Sequence, residues 1–225
     1  METKDFVTTL DDILTRVEKA RLQISEHHIV KIVAASKSAD TAMIEAMYHA
    51  GQRSFGENKV QDMSDKVHAL SSLPLEWHFI GRLQTNKINQ LIDLDPFLMH
   101  SLSSIELAQE LDKRLHVKGK TMNVLLQINS AYEAQKAGVM PEAALEAYEQ
   151  ISLTCQNLRL KGVMSIGAHT EERNIVQKSF ETTYKLFESL QKHGAKYCSM
   201  GMSGDFELAI ACGANMIRLG SILFK

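Results

Sequence analysis

Eight short runs of apolar and β-branched residues, separated by stretches with helical spacing, constrain this chain more than any other feature. They lie near residues 30–36, 53–56, 75–80, 97–101, 122–128, 159–165, 196–200 and 215–219. Near-continuous apolar runs of this length read as strands buried on both faces. Between them, Val60, Met63, Val67 and Leu70 make one helical stripe, and Ile105, Ala108, Leu111 and Leu115 a second. Val176, Phe180, Tyr184, Phe187 and Leu190 make a third. Ser103-Ser104-Ile105-Glu106 fits a capping box, Pro141 sits at a helix start, and Gly51 and Gly213 sit where helices should end. Ahead of the first strand, Phe6, Leu10, Ile13, Leu14 and Val17 share one face of a helix expected to run to about His27. Eight strands with intervening helices specify an α/β fold, either a closed parallel barrel or a doubly wound open sheet. The count favours a single (β/α)8 TIM barrel with an extra N-terminal helix.

At 225 residues and 44% hydrophobic content the chain is long enough for one such barrel, and no linker or low-complexity segment divides it. One domain over residues 1–225 is therefore expected. A formal charge of -2 with mixed signs along the helices leaves no basic stripe for nucleic acid. Cys155, Cys198 and Cys212 lack metal-like spacing and read as small buried hydrophobes in a reducing compartment, so no metal is expected. The start of the chain lacks the pattern of an export signal, and no run approaches a membrane span. These features point to a cytoplasmic protein without membrane contact. Without an obvious exposed apolar stripe, a monomer is the default.

In a barrel of this kind, residues that meet a ligand gather just after each strand, at the carboxyl face. Lys37 follows Ile32-Val33-Ala34-Ala35-Ser36. A lysine beside a dry wall is disfavoured in its charged form, which frees the amine to attack a carbonyl. The alternative is that Lys37 snorkels into water or onto a substrate phosphate. Gly56-Glu57-Asn58 follows the second strand; His78 and then Gly81-Arg82 belong to the third. His100-Ser101 ends the fourth, Asn129 the fifth, and Met164 and Ser165 the sixth, with Gly167 and His169 beyond. Ser199-Met200-Gly201-Met202-Ser203-Gly204 follows the seventh and Arg218-Leu219-Gly220-Ser221 the eighth.

The last two turns look built for an anion. Ser203 precedes a helix containing Phe206, Leu208 and Ile210, so its hydroxyl and the first free amides can meet phosphate oxygens, although a helix-start serine is more often a cap. Gly220 permits close backbone approach and Ser221 adds a hydroxyl. His78, between Trp77 and Phe79, reads as a core imidazole or a proton-transfer group. His100 and His169 read as rim residues without a nucleophile to serve. Arg218 can reach the centre of the rim, to a phosphate or a heterocyclic nitrogen. The 11 methionines mostly fill the core, with Met200 and Met202 flanking the rim. A lysine opposite a phosphate clamp, with an arginine between them, is the arrangement pyridoxal 5'-phosphate requires.

Five segments carry a resemblance. They are Val33-Ala34-Ala35-Ser36-Lys37, Phe55-Gly56-Glu57-Asn58-Lys59-Val60-Gln61, Trp77-His78-Phe79-Ile80-Gly81-Arg82-Leu83-Gln84-Thr85-Asn86-Lys87, Ser199-Met200-Gly201-Met202-Ser203 and Met216-Ile217-Arg218-Leu219-Gly220-Ser221. On these the chain resembles the pyridoxal-phosphate homeostasis protein family, relatives of the barrel domain of alanine racemase, over nearly its whole length. The resemblance implies that Lys37 forms the internal aldimine and that Ser203, Gly220 and Ser221 hold the phosphate. It further implies that Arg218 faces the pyridine nitrogen and keeps it unprotonated, and that Asn58, Met200 and Met164 line the cofactor. His78 and Ser199, inside two of the motifs, are counted with the cofactor-binding set.

The chain departs from the family at Ala39, where a second lysine is frequent, at Gly204-Asp205, and in ending at Phe224-Lys225. Lys136 matches a lysine near the rim in many relatives, or serves the surface. The expected function is to hold pyridoxal phosphate and supply or buffer it in the cytosol, with pyridoxal-phosphate-dependent apoenzymes as recipients. An amino-acid racemase of low activity is the alternative. That chemistry needs a base on the opposite face, and Tyr132 is the one plausible substitute among the tyrosines. A metabolite-sensing partner protein, responding around Lys136, is a third class.

Overall fold

The computed structural model describes residues 5–224; readings that fall on residues 1–4 and 225 lie outside the described residues. The eight expected strands form as β1 Lys31–Ala35, β2 Ser54–Glu57, β3 Glu76–Phe79, β4 Leu98–Leu102, β5 Met122–Ile128, β6 Leu158–Ser165, β7 Tyr197–Ser199 and β8 Met216–Leu219. Each pairs in parallel with the next, and β8 pairs with β1, closing the barrel. The open-sheet alternative is thereby excluded.

Successive strand side chains face opposite sides, and this alternation sorts the core into two layers. Ile32, Ala34, Phe55, Phe79 and Cys198 turn outward and pack with helix residues such as Ile44, Met63, Leu111 and Phe187. Val33, Leu98, Leu125, Met164 and Met216 turn inward and fill the axis.

The surrounding helices are α1 Phe6–Arg21, α2 Thr41–His49, α3 Val60–Ala69, α4 Ile88–Leu94, α5 Ile105–Lys118, α6 Ala144–Thr154, α7 Arg173–Leu190, α8 Phe206–Ala211 and α9 Ser221–Phe224. Asp5 caps α1 by accepting the amides of Val7 and Thr8 at 3.1 and 3.2 Å. The helix stops at Arg21, short of the expected His27. There Arg21 Nη1 donates to Glu26 O at 2.8 Å and His28 O at 3.4 Å, which folds the chain back and leaves Leu22 and Ile24 exposed. The capping box is displaced by one residue. Ser104, not Ser103, is the N-cap of α5 and accepts Leu107 N at 3.2 Å, so Glu106 lies one position too early to complete the reciprocal bond. Pro141 opens a 3-10 turn leading into α6, and Gly51 and Gly213 follow α2 and α8 as expected.

Among the described residues no helix is long and apolar enough to cross a membrane, and no group of His, Cys, Asp or Glu is placed to hold a metal ion.

Candidate functional site at the carboxyl mouth of the barrel

Ser36 extends the first strand by one bond, its amide donating to Gly56 O at 3.0 Å. Lys37 comes next, in the inward phase set by Lys31, Val33 and Ala35. It is exposed rather than pressed against a dry wall, because the barrel wall ends at Ser36. What holds the Lys37 turn lies behind it. Lys66 Nζ, from α3, donates to Ser36 O and to Glu57 Oε1, both at 2.7 Å, and Ser36 Oγ donates to the same carboxylate at 2.6 Å. Glu57 is fully buried and its Oε2 has no partner among the described residues. Glu57 thus faces outward onto α3, away from the mouth, and is not placed to exchange protons with a ligand there. No spacing signal in the sequence marks Lys66, whose tie to Ser36 spans thirty residues.

The two expected anion turns meet. Ser203 Oγ accepts the amide of Gly220 at 3.2 Å and that of Ile222 at 3.4 Å. Ser203 is not the cap of the following helix: α8 begins at Phe206, with Asp205 in the cap position and Asp205 Oδ1 accepting Met202 N at 2.6 Å. Burial raises the Asp205 carboxyl above its ordinary range, against the pull of the Met202 amide and Arg218. Gly201, at φ 93°, lets this turn fold over α8, since a Cβ there would lie 2.6 Å from that of Ala209. Gly220 passes close to β1: a Cβ on it would stand 3.3 Å from Ala35 O. The glycine-and-serine turn therefore lies beside the strand that carries Lys37. Ser221 is exposed at the start of α9.

Arg218 is buried, turned into the barrel, and fixed by three bonds: Nη1 to Ser199 O at 2.9 Å and Ser199 Oγ at 2.7 Å, and Nη2 to Ser165 O at 2.9 Å. Burial pulls its guanidinium down to about 10, and Asp205 and Cys198 pull the other way. Ser199 also meets His100 Nδ1 at 3.0 Å; His100 Nε2 meets His78 Nδ1 at 2.9 Å; His78 Nε2 meets Glu76 Oε1 at 2.8 Å. His78 and His100 are fully buried, so neither stands on the rim. The expectation that His78 touches a rim ligand fails because its inward phase points it at mid-barrel, where both ring nitrogens are already engaged. Burial lowers the pKa of both imidazoles, His100 the more strongly.

Asn58 and Met164 line one cavity of about 300 Å³ over the mouth, together with Ile80, Gly81, Ser101 and Gln127. Gly81 makes that corner possible, since a Cβ on it would fall 1.9 Å from Asn58 O. Met200 does not line the mouth: it is fully buried in the layer between sheet and helices, because the phase that turns Ser199 inward turns its neighbour outward. The methionine at the rim is Met202, which lines a second cavity of about 790 Å³ with Lys136, His169, Arg173 and Asp205. Lys136 borders both cavities and donates to Glu133 Oε1 at 2.9 Å and Gly167 O at 2.6 Å. Tyr132 borders neither; it is exposed, with its hydroxyl on Glu142.

A closed parallel barrel with an amine after β1 and paired glycine-serine turns after β7 and β8 defines a barrel of the alanine racemase type. Residues 9–225 match the family model described as alanine racemase, N-terminal domain. Within that class, the chain belongs to the pyridoxal phosphate homeostasis protein family. It is 57% identical over 221 residues to the pyridoxal phosphate homeostasis protein of Helicobacter pylori, covering 98% of this chain and 99% of that one. PipY of Synechococcus elongatus without pyridoxal phosphate superposes with a TM-score of 0.87 at 31% identity, covering 98% of this chain and all of PipY. PipY with pyridoxal phosphate bound superposes at 0.80 with 33% identity, covering 95% of this chain and all of PipY.

Proposed function

We propose that this chain binds pyridoxal 5'-phosphate at the carboxyl mouth of its one barrel domain and holds or supplies it, without being a dedicated enzyme. The observation that carries the reading is the placement, at the ends of adjacent β8 and β1, of three complementary elements: Lys37 after β1, Arg218 on β8, and the amides of Gly220 and Ile222 drawn together on Ser203 Oγ. The donor set fits the cofactor. When bound, pyridoxal phosphate supplies an aldehyde that condenses with a lysine amine and a ring that withdraws electrons. Lys37 offers the amine from an exposed position, open to exchange with solvent. Ser203, Gly220 and Ser221 offer hydroxyl and backbone donors to a phosphate. Arg218 only donates hydrogen bonds, so a ring nitrogen facing it accepts and stays without a proton, which weakens the ring as an electron sink. Asn58 and Met164 form the neighbouring wall. Ser199 acts from behind, through Arg218, rather than by contact.

Two observations favour carriage over racemisation. The exposed amine suits transfer to recipient apoenzymes in the cytosol, and Tyr132 is committed to Glu142 rather than placed at either cavity. The relatives' name, pyridoxal phosphate homeostasis protein, agrees with this reading. The test is titration with pyridoxal phosphate, followed by incubation with a pyridoxal-phosphate-dependent apoenzyme and by an alanine and serine racemisation assay. Saturable binding lost in Lys37→Ala, activation of the apoenzyme and no substantial racemisation support the proposal. Robust racemisation would replace it with the enzyme reading.

A further inference from the structure

Four hydrogen bonds run through the barrel interior in series, from Arg218 to Ser199, His100, His78 and Glu76. Glu76 stands at the first residue of β3, at the opposite mouth, where it is also ion-paired with Lys31 and takes Ser54 Oγ at 2.8 Å. One end of the line can only donate and the other, an ionised carboxylate, can only accept. Against the tendency of burial to raise it, bonds from His78, Lys31 and Ser54 hold the Glu76 carboxyl down at about 2. With both imidazoles neutral, every proton in between is then assigned. Glu76 accepts, so His78 carries its proton on Nε2 and presents a bare Nδ1. His100 must fill that acceptor from Nε2, leaving its own Nδ1 bare. Ser199 donates to it and, with its proton so used, accepts from Arg218. All four bonds point the same way, from the rim to the far mouth, and reversing one would set two donors or two acceptors face to face.

We propose that His78 and His100 are positioning residues that act through Ser199 to hold Arg218 toward the rim ligand, and that they couple the rim to the Glu76–Lys31 ion pair at the opposite mouth. The ligand part rests on the reading of the rim as a pyridoxal phosphate site. The apolar neighbours Val33, Leu98, Leu125, Met164 and Met216 fill the axis around the line. Two imidazoles kept among them lose hydration that an apolar pair would not, and the alignment of Arg218 is what they return.

The test has one arm without cofactor and one with it. Long-range nitrogen–proton NMR on the ligand-free protein at neutral pH should find both rings uncharged with the proton on Nε2, and a slowly rotating Arg218 guanidinium that is freed in His100→Leu and restrained again in His100→Gln. Glutamine supplies one donor and one acceptor, so it can rebuild the link. An Nδ1–H tautomer, a charged ring at neutral pH, or an Arg218 signal indifferent to His100→Leu would overturn the proposal. In the loaded protein, His100→Leu should shift the visible band and loosen retention on the order of fivefold, the worth of one buried hydrogen bond. His100→Gln should recover most of that, and Glu76→Gln, which keeps an acceptor but removes its charge, should shift the band from the far mouth. A band unmoved by all three would also overturn it. Failure of the wild type to take up pyridoxal phosphate would instead remove the cofactor reading, leaving the NMR arm to decide whether the line holds Arg218.

Discussion

Ser203 Oγ accepts the backbone amide of Gly220 at 3.2 Å, joining the turn after β7 to the turn after β8. A second amide, that of Ile222, points at the same oxygen from 3.4 Å. Two amides trained on one oxygen make a small region of positive potential, and its position beside Ala35 O puts that region next to the strand bearing Lys37. The glycine-and-serine turns and Lys37 thus lie side by side because β8 and β1 are neighbours in the closed barrel.

Ser203→Ala removes the oxygen on which both amides converge. The ligand-free protein should lose on the order of 1 kcal/mol, read from the urea midpoint, and inorganic phosphate should compete less well for the site. Ser221→Ala, at an exposed position, should leave the urea midpoint unchanged and affect only cofactor retention.

Lys66→Met should be among the most damaging substitutions outside the barrel axis. It would strand the fully buried Glu57 carboxylate, and breaking a buried ion pair from one side costs about 3 kcal/mol or more. Adding Glu57→Gln to Lys66→Met should return a large part of that loss in equilibrium unfolding. A surface-like change of under about 0.5 kcal/mol for Lys66→Met would show the pair to be idle.

The buried imidazoles set the acid limit. His78 and His100 both have folded-state values below the ordinary 6.5, so as pH falls below that value the unfolded chain takes up protons that the folded one refuses. Their contribution is present above about 6.5 and is lost progressively below it. Glu76 follows the same direction at lower pH: its stabilisation holds above the ordinary 4.5 and fades only as pH falls toward about 2. Melting temperature should therefore begin to fall near pH 6, before Glu76 titrates, and His100→Gln should flatten that first decline.

Tyr132→Phe removes a hydroxyl whose partner is Glu142 on the protein surface. Cofactor binding should be unchanged and stability altered by less than about 1 kcal/mol, since the bond is exposed. If the wild type racemises alanine and this variant does not, Tyr132 reaches the ligand after all and the carrier reading is wrong.

The barrel was legible because most of the strands carry short apolar or β-branched runs, a local signal that survives without knowledge of its neighbours, although β2 is short and weakly marked. The positions of Lys37, Ser203, Gly220 and Arg218 at or just after strand ends were legible for a related reason: strand ends locate the mouth once the barrel is assumed. Met200 was misplaced although the means of placing it was present. The inward phase of Ser199 and Met216, paired in register, already puts the next side chain outside. Parity leaves His78 inside the barrel, and its depth, two residues before the mouth-lining Ile80, keeps it off the rim. Its partner His100 lies 22 residues away on the next strand, and Lys66 reaches Ser36 across a helix, so neither contact has a local signature. The early end of α1 escaped because a guanidinium folding back onto carbonyls leaves no mark on apolar periodicity.

The most direct measurement is borohydride reduction of the protein loaded with pyridoxal phosphate, followed by peptide mapping. The expected result is a visible band that disappears on reduction, a single pyridoxyl group on Lys37, and neither in Lys37→Ala. A pyridoxyl group on another lysine, or a band that persists in Lys37→Ala, would contradict it.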